Sequence, residues 1–361
     1  MKKLSRAGVI WLCVCAVLLV LGGVCALVSR SLSRSLLSQR EAERWRGDNE
    51  QSFAQISCFL PSDGGVTLSD IYEFRYAMLD EFSAADIEFD ADRGIYPFID
   101  AWSCDGKVTV AGEKTSTEAS VTAVGGSFFE FHPLRLLGGS YIGEGDLSPD
   151  RVVLDNELAW ELFGGTDLAG MRVEIGGAEF VVAGVVEREK DSASLSAYSG
   201  GKGLFMSYDA YRALSGSDAI SCYEVVMPEV VKGYAAEVTA NHFKLSDGEL
   251  VVNSSRFDAG RLLTLARDLP SRAAHAGKVG YPYWENAARI NENKCAALTA
   301  AALLLVLPAA ITALVELIRL LARGKTSLER ELLPRVKESA EEAVRVRARR
   351  RWEKKHGPGA E

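Results

Sequence analysis

The sequence predicts an α+β domain, built as two subdomains and held outside a membrane between two transmembrane α-helices. Three observations carry this. Two uncharged apolar runs long enough to cross a bilayer lie near the ends of the 361 residues. Between them, segments with the two-residue period of strands alternate with segments of helical period, punctuated by Gly and Pro. Charge is segregated as well: residues 47–290 hold 19 Lys/Arg against 38 Asp/Glu, while residues 319–361 hold 13 against 7. Such an acidic middle excludes nucleic acid as its ligand, because phosphate binding needs clustered positive charge.

Residues 1–8 form a short basic start, expected to be cytoplasmic. Residues 9–28 (VIWLCVCAVLLVLGGVCALV) carry no charge, and at ~1.5 Å per residue they span a hydrocarbon core of ~30 Å. A cleaved signal peptide has the same basic start, but its apolar stretch is usually ~7–15 residues, so an uncleaved anchor is expected. Residues 29–46 contain no Gly or Pro and predict that the helix continues as a stalk, with Arg30, Arg34, Arg40, Arg44 and Arg46 solvated or paired.

The second apolar run, residues 295–315, lies in a membrane helix expected over 295–318. Pro308 is tolerated there because neighbouring helices re-satisfy the freed carbonyl, and Tyr281, Tyr283 and Trp284 are expected in the aromatic belt at the interface. Arg319, Arg323, Lys325, Arg330 and Arg335 favour a cytoplasmic C-terminus, whereas the arginines after residue 28 argue the opposite for the first helix. Two spans put both termini on one side; the second span and the acidic middle decide for cytoplasmic termini and a large domain outside. Gly22 and Ala26 on one helix, and Ala297 and Ala301 on the other, place small residues four apart, a face that admits close helix packing. Plain lipid contact is the alternative.

Within residues 47–290, a strand is expected over 53–60. Thr67 and Asp70 then form a capping box that opens an amphipathic helix over 68–82. Residues 86–92 (DIEFDAD) alternate acid with apolar and predict a half-buried strand; they fail as a calcium loop, lacking Gly at the sixth position and Glu at the twelfth. Strands follow over 100–111 and 117–124, then a helix over 156–163 stopped by Gly164 and Gly165. A hairpin of 172–175 with 178–186 turns about Gly176 and Gly177. Later strands are expected at 204–206, 222–227 and 249–253, a Ser/Gly-rich loop at 191–203, and helices at 229–243 and 258–275, the last broken near Pro270.

No reactive set of residues emerges. His132, His242, His275 and His356 are scattered. Ser140 misses the nucleophile-elbow spacing by one residue. GGKG at 200–203 lacks the spacing of a phosphate loop, so neither an ATPase module nor a cofactor, metal or catalytic residue is expected. Cys13, Cys15, Cys25 and Cys295 lie in or at the membrane spans. Of the three outer cysteines, Cys58 and Cys104 sit on expected strands and are the preferred disulfide pair over pairings with Cys222, with no disulfide the open alternative.

Residues 124–186 carry a longer pattern: VGGSFF at 124–129, LGG at 137–139, Asp146, VVL at 152–154, LFG at 162–164, DLAG at 167–170, IGG at 175–177 and FVVAGV at 180–185. This resembles the extracytoplasmic core domain of the MacB/FtsX-type ABC-transporter permeases. The resemblance implies a non-enzymatic membrane component, permease-like or accessory, that works with a separate cytoplasmic ABC ATPase and, as an accessory, with a full-length permease. Family members continue after the second span with further membrane helices, where this sequence has the basic stretch 319–361. The alternative class is a membrane-anchored sensor or adaptor that binds an envelope ligand or hydrolase. Residues 319–361, with Leu328, Leu332, Leu333, Val336 and Val344 on an intermittent stripe and Pro334 breaking the helix, are expected to dock a cytoplasmic partner; anchoring to anionic lipid is the other reading.

Overall fold

A computed structural model describes residues 6–356 apart from 49, 62–64, 113–114, 144, 147, 199–201 and 273–278. The chain divides into two compact units: Cys25–Ala300, and a second formed by the outer parts of the chain, up to Val24 and from Ala301.

The first apolar run lies in α1 (Arg6–Ser35). The expected stalk over 29–46 is not one helix: Leu36 is extended (φ −91°, ψ 100°), Leu37–Gln39 make a single 3-10 turn, and α2 (Glu41–Arg46) is a separate piece. The break lets Leu36, Ser38, Gln39 and Glu41 turn inward and become buried, which a straight solvated stalk does not allow. There follow β1 (Phe53–Phe59), α3 (Leu68–Ala84), β2 (Ile99–Ala111), β3 (Ser116–Gly126), α4 (Phe128–Phe131), β4 (Arg135–Gly139), β5 (Arg151–Asp155), α5 (Asn156–Phe163), β6 (Arg172–Ile175) and β7 (Ala178–Glu187). The remainder comprises α6 (Ser192–Ala197), β8 (Gly203–Ser207), α7 (Tyr208–Ser215), β9 (Cys222–Pro228), α8 (Tyr234–His242), β10 (Glu249–Val252), α9 (Ala259–Arg272) and α10 (Tyr283–His356).

One sheet joins all ten strands, in the order β10-β1-β9-β2-β3-β8-β5-β7-β4, with β6 pairing β2 and β7. The long β2–β3 hairpin, in register from Ala101↔Gly126 to Ala111↔Ser116, links two halves with separate cores. On one half, α3 and α8 cover a core of Ile71, Phe74, Met78, Phe82, Tyr223 and Val238. Phe74 meets Tyr223 and Phe243 edge-on at 5.8 and 5.3 Å. Arg75 of α3 makes a bidentate pair with the buried Asp100 (2.8 and 2.7 Å), fixing the helix to the sheet. On the other half, α5 packs Leu158 and Leu162 on Val152, Leu154, Val182 and Leu204. The glycines of VGGSFF have a local cause: a Cβ on Gly125 would lie 2.2 Å from Trp102 Nε1, and Gly126 adopts φ +62°.

The capping box at Thr67 and Asp70 forms, with Thr67 N–H donating to Asp70 Oδ2 at 2.8 Å, and the hairpin turns at Gly176 and Gly177 as expected. Residues 86–92 form no strand. Asp86 has φ +55°, and only an isolated bridge joins Asp90 to Ile95; the alternation arises because Ile87 and Phe89 dock onto the core from a loop. The expected loop at 191–203 contains α6, started by Asp191, whose carboxylate accepts from the Ala193 and Ser194 N–H groups; residues 199–201 lie outside the described set. Pro270 and Pro334 lie within α9 and α10, which continue past them. A proline removes one ladder bond, and the surrounding Leu, Arg, Glu and Ala are strong helix formers.

The expected Cys58–Cys104 disulfide is not formed; both thiols are free. Strand β9 runs between them, pairing β1 on one side and β2 on the other. Strands two apart are separated by ~10 Å, beyond the ~7 Å limit for a bridge. In β9 Cys222 opposes Phe59, so it faces the side away from Cys58. Burial pushes the Cys104 thiol up to about 12, with Asp105 adding to the effect, and the thiol stays protonated. Alkylation followed by mass spectrometry is expected to leave all three unmodified in the native protein and to modify all three after denaturation without reductant.

In the smaller unit α1 and α10 pack closely. A Cβ on Gly22 would lie 2.8 Å from Val306 Cγ2 and 3.2 Å from the Ala302 carbonyl oxygen, and Trp11 Nε1 donates to Thr312 Oγ1 at 3.0 Å. In the large unit the same two helices meet through Ser29, whose Oγ lies 3.3 Å from Thr299 Oγ1, and Asn291, which donates to the Leu32 carbonyl at 3.3 Å. The buried positions of α1 are Cys15 and Gly22 in the smaller unit and Ser29 in the large one. Ala26 and Ala297 are exposed, open to a partner helix or to lipid, and Ala301 is half-buried.

Candidate functional site

Where the two long helices join the sheet, a line of charged and polar side chains runs through the interior of the large unit. Its centre is Arg256, which follows the 3-10 turn Asn253–Ser255 at the end of edge strand β10. Helix α10 brings Glu285 and Glu292, two turns apart on one face. All three are at most 2% exposed. The guanidinium binds Glu285 through both terminal nitrogens (2.7 and 2.6 Å) and Glu292 through Nε (3.3 Å). Arg289 of α10 adds a second hold on Glu285 at 2.6 Å and reaches Glu249 on β10 at 2.8 Å.

From Arg256 the line continues in two directions. Gln39, in the turn after α1, accepts from Arg256 Nη1 (2.9 Å) and from Asn253 Nδ2 (3.0 Å) through the same oxygen. Ser57 Oγ on β1 lies 3.0 Å from Asn253 Oδ1 and 2.9 Å from Glu224 Oε1 on β9, and Glu224 Oε2 lies 2.5 Å from His132 Nε2. Gln55, beside Ser57, donates to the Ser38 carbonyl (2.7 Å) and accepts from the Glu41 N–H (2.9 Å). The segment leaving α1, the first turns of α10 and the central strands are thus tied by one hydrogen-bonded set.

Burial alone would lower the Arg256 pKa, but Glu285 and Glu292 outweigh it and hold it above its ordinary value, so the charge is permanent. A buried charge with satisfied partners is tolerated, while removal of one partner strands the others in low dielectric. Ser57, Glu224 and His132 are buried in it, and among the described residues no three His, Cys, Asp or Glu side chains are grouped to hold a metal ion. It ties the start of α10 and the segment after α1 to the sheet.

The aromatic residues expected in an interfacial belt belong to this junction. Trp284 is 2% exposed, with its ring 5.6 Å from Phe128 and 4.3 Å from His132, and Tyr281 packs edge-on against Phe59 at 5.6 Å. Sequence reasoning missed the junction because Arg256 has no local signature. Glu285, Arg289 and Glu292, charges at helical spacing just ahead of an apolar run, were the available signal, since charges near a membrane need named partners.

Residues 12–255 match the model of the family described as the MacB-like periplasmic core domain. The chain belongs to this family, of the ABC-transporter permease type. With α1 and α10 both long and apolar enough to cross a membrane, this MacB-like chain is a membrane protein with an extracytoplasmic domain. The matched stretch contains Gln39, Ser57, His132, Glu224 and Asn253; Arg256, Glu285 and Glu292 lie just beyond it. Among solved structures, the chain is similar to the extracellular domain of the ABC-type transporter YknZ from Gram-positive bacteria (16% identity over 56% of this chain and 99% of that one, TM-score 0.37). It is also similar to the periplasmic region of MacB from Actinobacillus actinomycetemcomitans (16% identity, 66% and 100% coverage, TM-score 0.40). No curated protein matches the chain.

Proposed function

We propose that this protein is a non-catalytic coupling component of an ABC-transporter assembly, passing the movement of a separate cytoplasmic ATPase to the extracytoplasmic domain. The observation that supports this reading is the junction itself: Arg256 joins Gln39, next to α1, to Glu285 and Glu292 at the start of α10. A displacement of either helix end is carried to the sheet without slack, because every buried charge in the path must keep its partners. In this reading residues 9–28 and 295–318 are the spans, residues 47–290 are outside, both termini are cytoplasmic, and 319–361 dock the ATPase or a full-length permease.

Purification of the full chain from its native membrane tests the proposal. Recovery of an ABC ATPase, lost on truncation after Gly324, is the expected result; a reporter placed at position 120 should be extracytoplasmic. Absence of any ATPase under crosslinking sinks the coupling role. The sensor or adaptor reading then gains, and its ligand seat is the cleft of about 370 Å³ under Tyr72, Tyr76, Tyr96 and Arg75.

A further inference from the structure

The arginines that follow the first apolar run oppose the orientation favoured by the rest of the chain, and the junction does not use them. Arg34, Arg40 and Arg46 instead line one cavity of about 330 Å³ beside the break between α1 and α2, with Asn253 and Ser254 on its wall. Arg34 and Arg46 are exposed, and neither has an ion pair or hydrogen bond among the described residues. Arg40 engages Glu43 through Nε at 2.9 Å. The other acid at the rim, Asp258, lies 4.0 Å from Lys232. Ser254 Oγ accepts from the Gln55 N–H at 2.8 Å, which leaves its own proton to donate.

We infer that this cavity binds a phosphate anion. The planar guanidinium fork suits phosphate oxygens two at a time, and unpaired arginines converging on one space hold no other role in the fold. Position favours a phospholipid headgroup as the source: Arg34 lies six residues along α1 beyond Val28, about 9 Å. The headgroup layer outside a ~30 Å core in a bilayer ~40–45 Å thick is ~5–7.5 Å deep on each side, and a guanidinium reaching back along its flexible stem meets it. A lipid phosphate held there gives the arginines their counterion on the side where the positive-inside rule disfavours them.

Full-length protein in detergent micelles, titrated with dihexanoyl phosphatidylglycerol, dihexanoyl phosphatidylcholine or inorganic phosphate and read by native mass spectrometry, tests the site. The wild type is expected to retain phosphatidylglycerol, and the R34Q/R46Q double variant to bind it roughly 30-fold more weakly, at about fivefold per basic residue. The control R93Q/R212Q, altered at exposed arginines outside the cavity, should bind as the wild type does. If inorganic phosphate also binds with the same sensitivity to R34Q/R46Q, the site takes the free anion; if it does not bind, the lipid is the source. Equal retention of phosphatidylglycerol by R34Q/R46Q, equal binding of phosphatidylcholine, or no binding of any probe overturns the inference.

Discussion

Two ion pairs of nearly equal length sit in opposite surroundings. Lys107 and Glu118, diagonal neighbours across the β2–β3 hairpin at 2.8 Å, are 78% and 65% exposed. Arg256 and Glu285, at 2.6 Å, are 1% and 0% exposed. In water the first pair exchanges protein contacts for equally good hydration and fixes two flexible side chains, so its net value is close to nothing. The second pair has no water to fall back on, so each member depends on the other. Distance alone therefore says little; burial decides whether a pair decorates the fold or constrains it.

The comparison can be broken first at Arg256. Arg256→Ala leaves Glu285 and Glu292 buried without their cation and is expected to destabilise the domain by about 3–5 kcal/mol, read from the denaturation midpoint of the full chain in detergent. A loss below ~1 kcal/mol would place this pair in the same class as Lys107–Glu118. Trp284→Ala, which leaves a cavity beside the Phe128 and His132 rings, should cost a similar ~3–5 kcal/mol.

A sharper experiment replaces the whole set. Arg256→Met with Glu285→Leu and Glu292→Leu removes all three charges together, and stability is expected to return to within ~1 kcal/mol of wild type or to exceed it. If the junction transmits movement, this variant should fold and still fail to stimulate the partner ATPase. Normal stimulation would reduce the set to a folding element.

Asp70 gives an intermediate case, since it is partly buried in the capping box and paired with Lys244 at 3.0 Å. Burial pushes its carboxyl up, but the Thr67 N–H, Lys244 and the Thr67 hydroxyl outweigh that and hold it below its usual range. A depressed acid stabilises above its unfolded value of about 3.9 and loses that contribution as pH falls through the folded one. Asp70→Ala should therefore cost ~1 kcal/mol at pH 7, a difference that shrinks below about pH 4. Thermal melts of the two proteins across that range check the sign. Last, Lys107→Ala should leave the melting temperature where it is.

Much of this was legible where local chemistry decides. The capping box at Thr67, the hairpin glycines at 176 and 177 and the strands with branched side chains are all set by neighbours a few residues away. The junction was not, because Gln39 meets Arg256 across 217 positions, and no periodicity encodes that. Trp284 and Tyr283 satisfy an interfacial pattern as well as they satisfy a core, and only packing against Phe128 distinguishes the two. In the same way DIEFDAD reads as a strand because a loop that docks two apolar residues produces the same alternation.

The placement of β9 between β1 and β2 also governs how the protein is born. Strand β1 ends at Phe59, yet both of its sheet neighbours, β9 and β10, begin only at Cys222 and Glu249. A ribosome adding ~5–20 residues per second takes roughly ten to thirty seconds to make the intervening chain. For that time neither hydrogen-bonding edge of β1 has its strand partner. Such delayed, long-range pairing is slow and leaves a strand edge open until the later strands arrive.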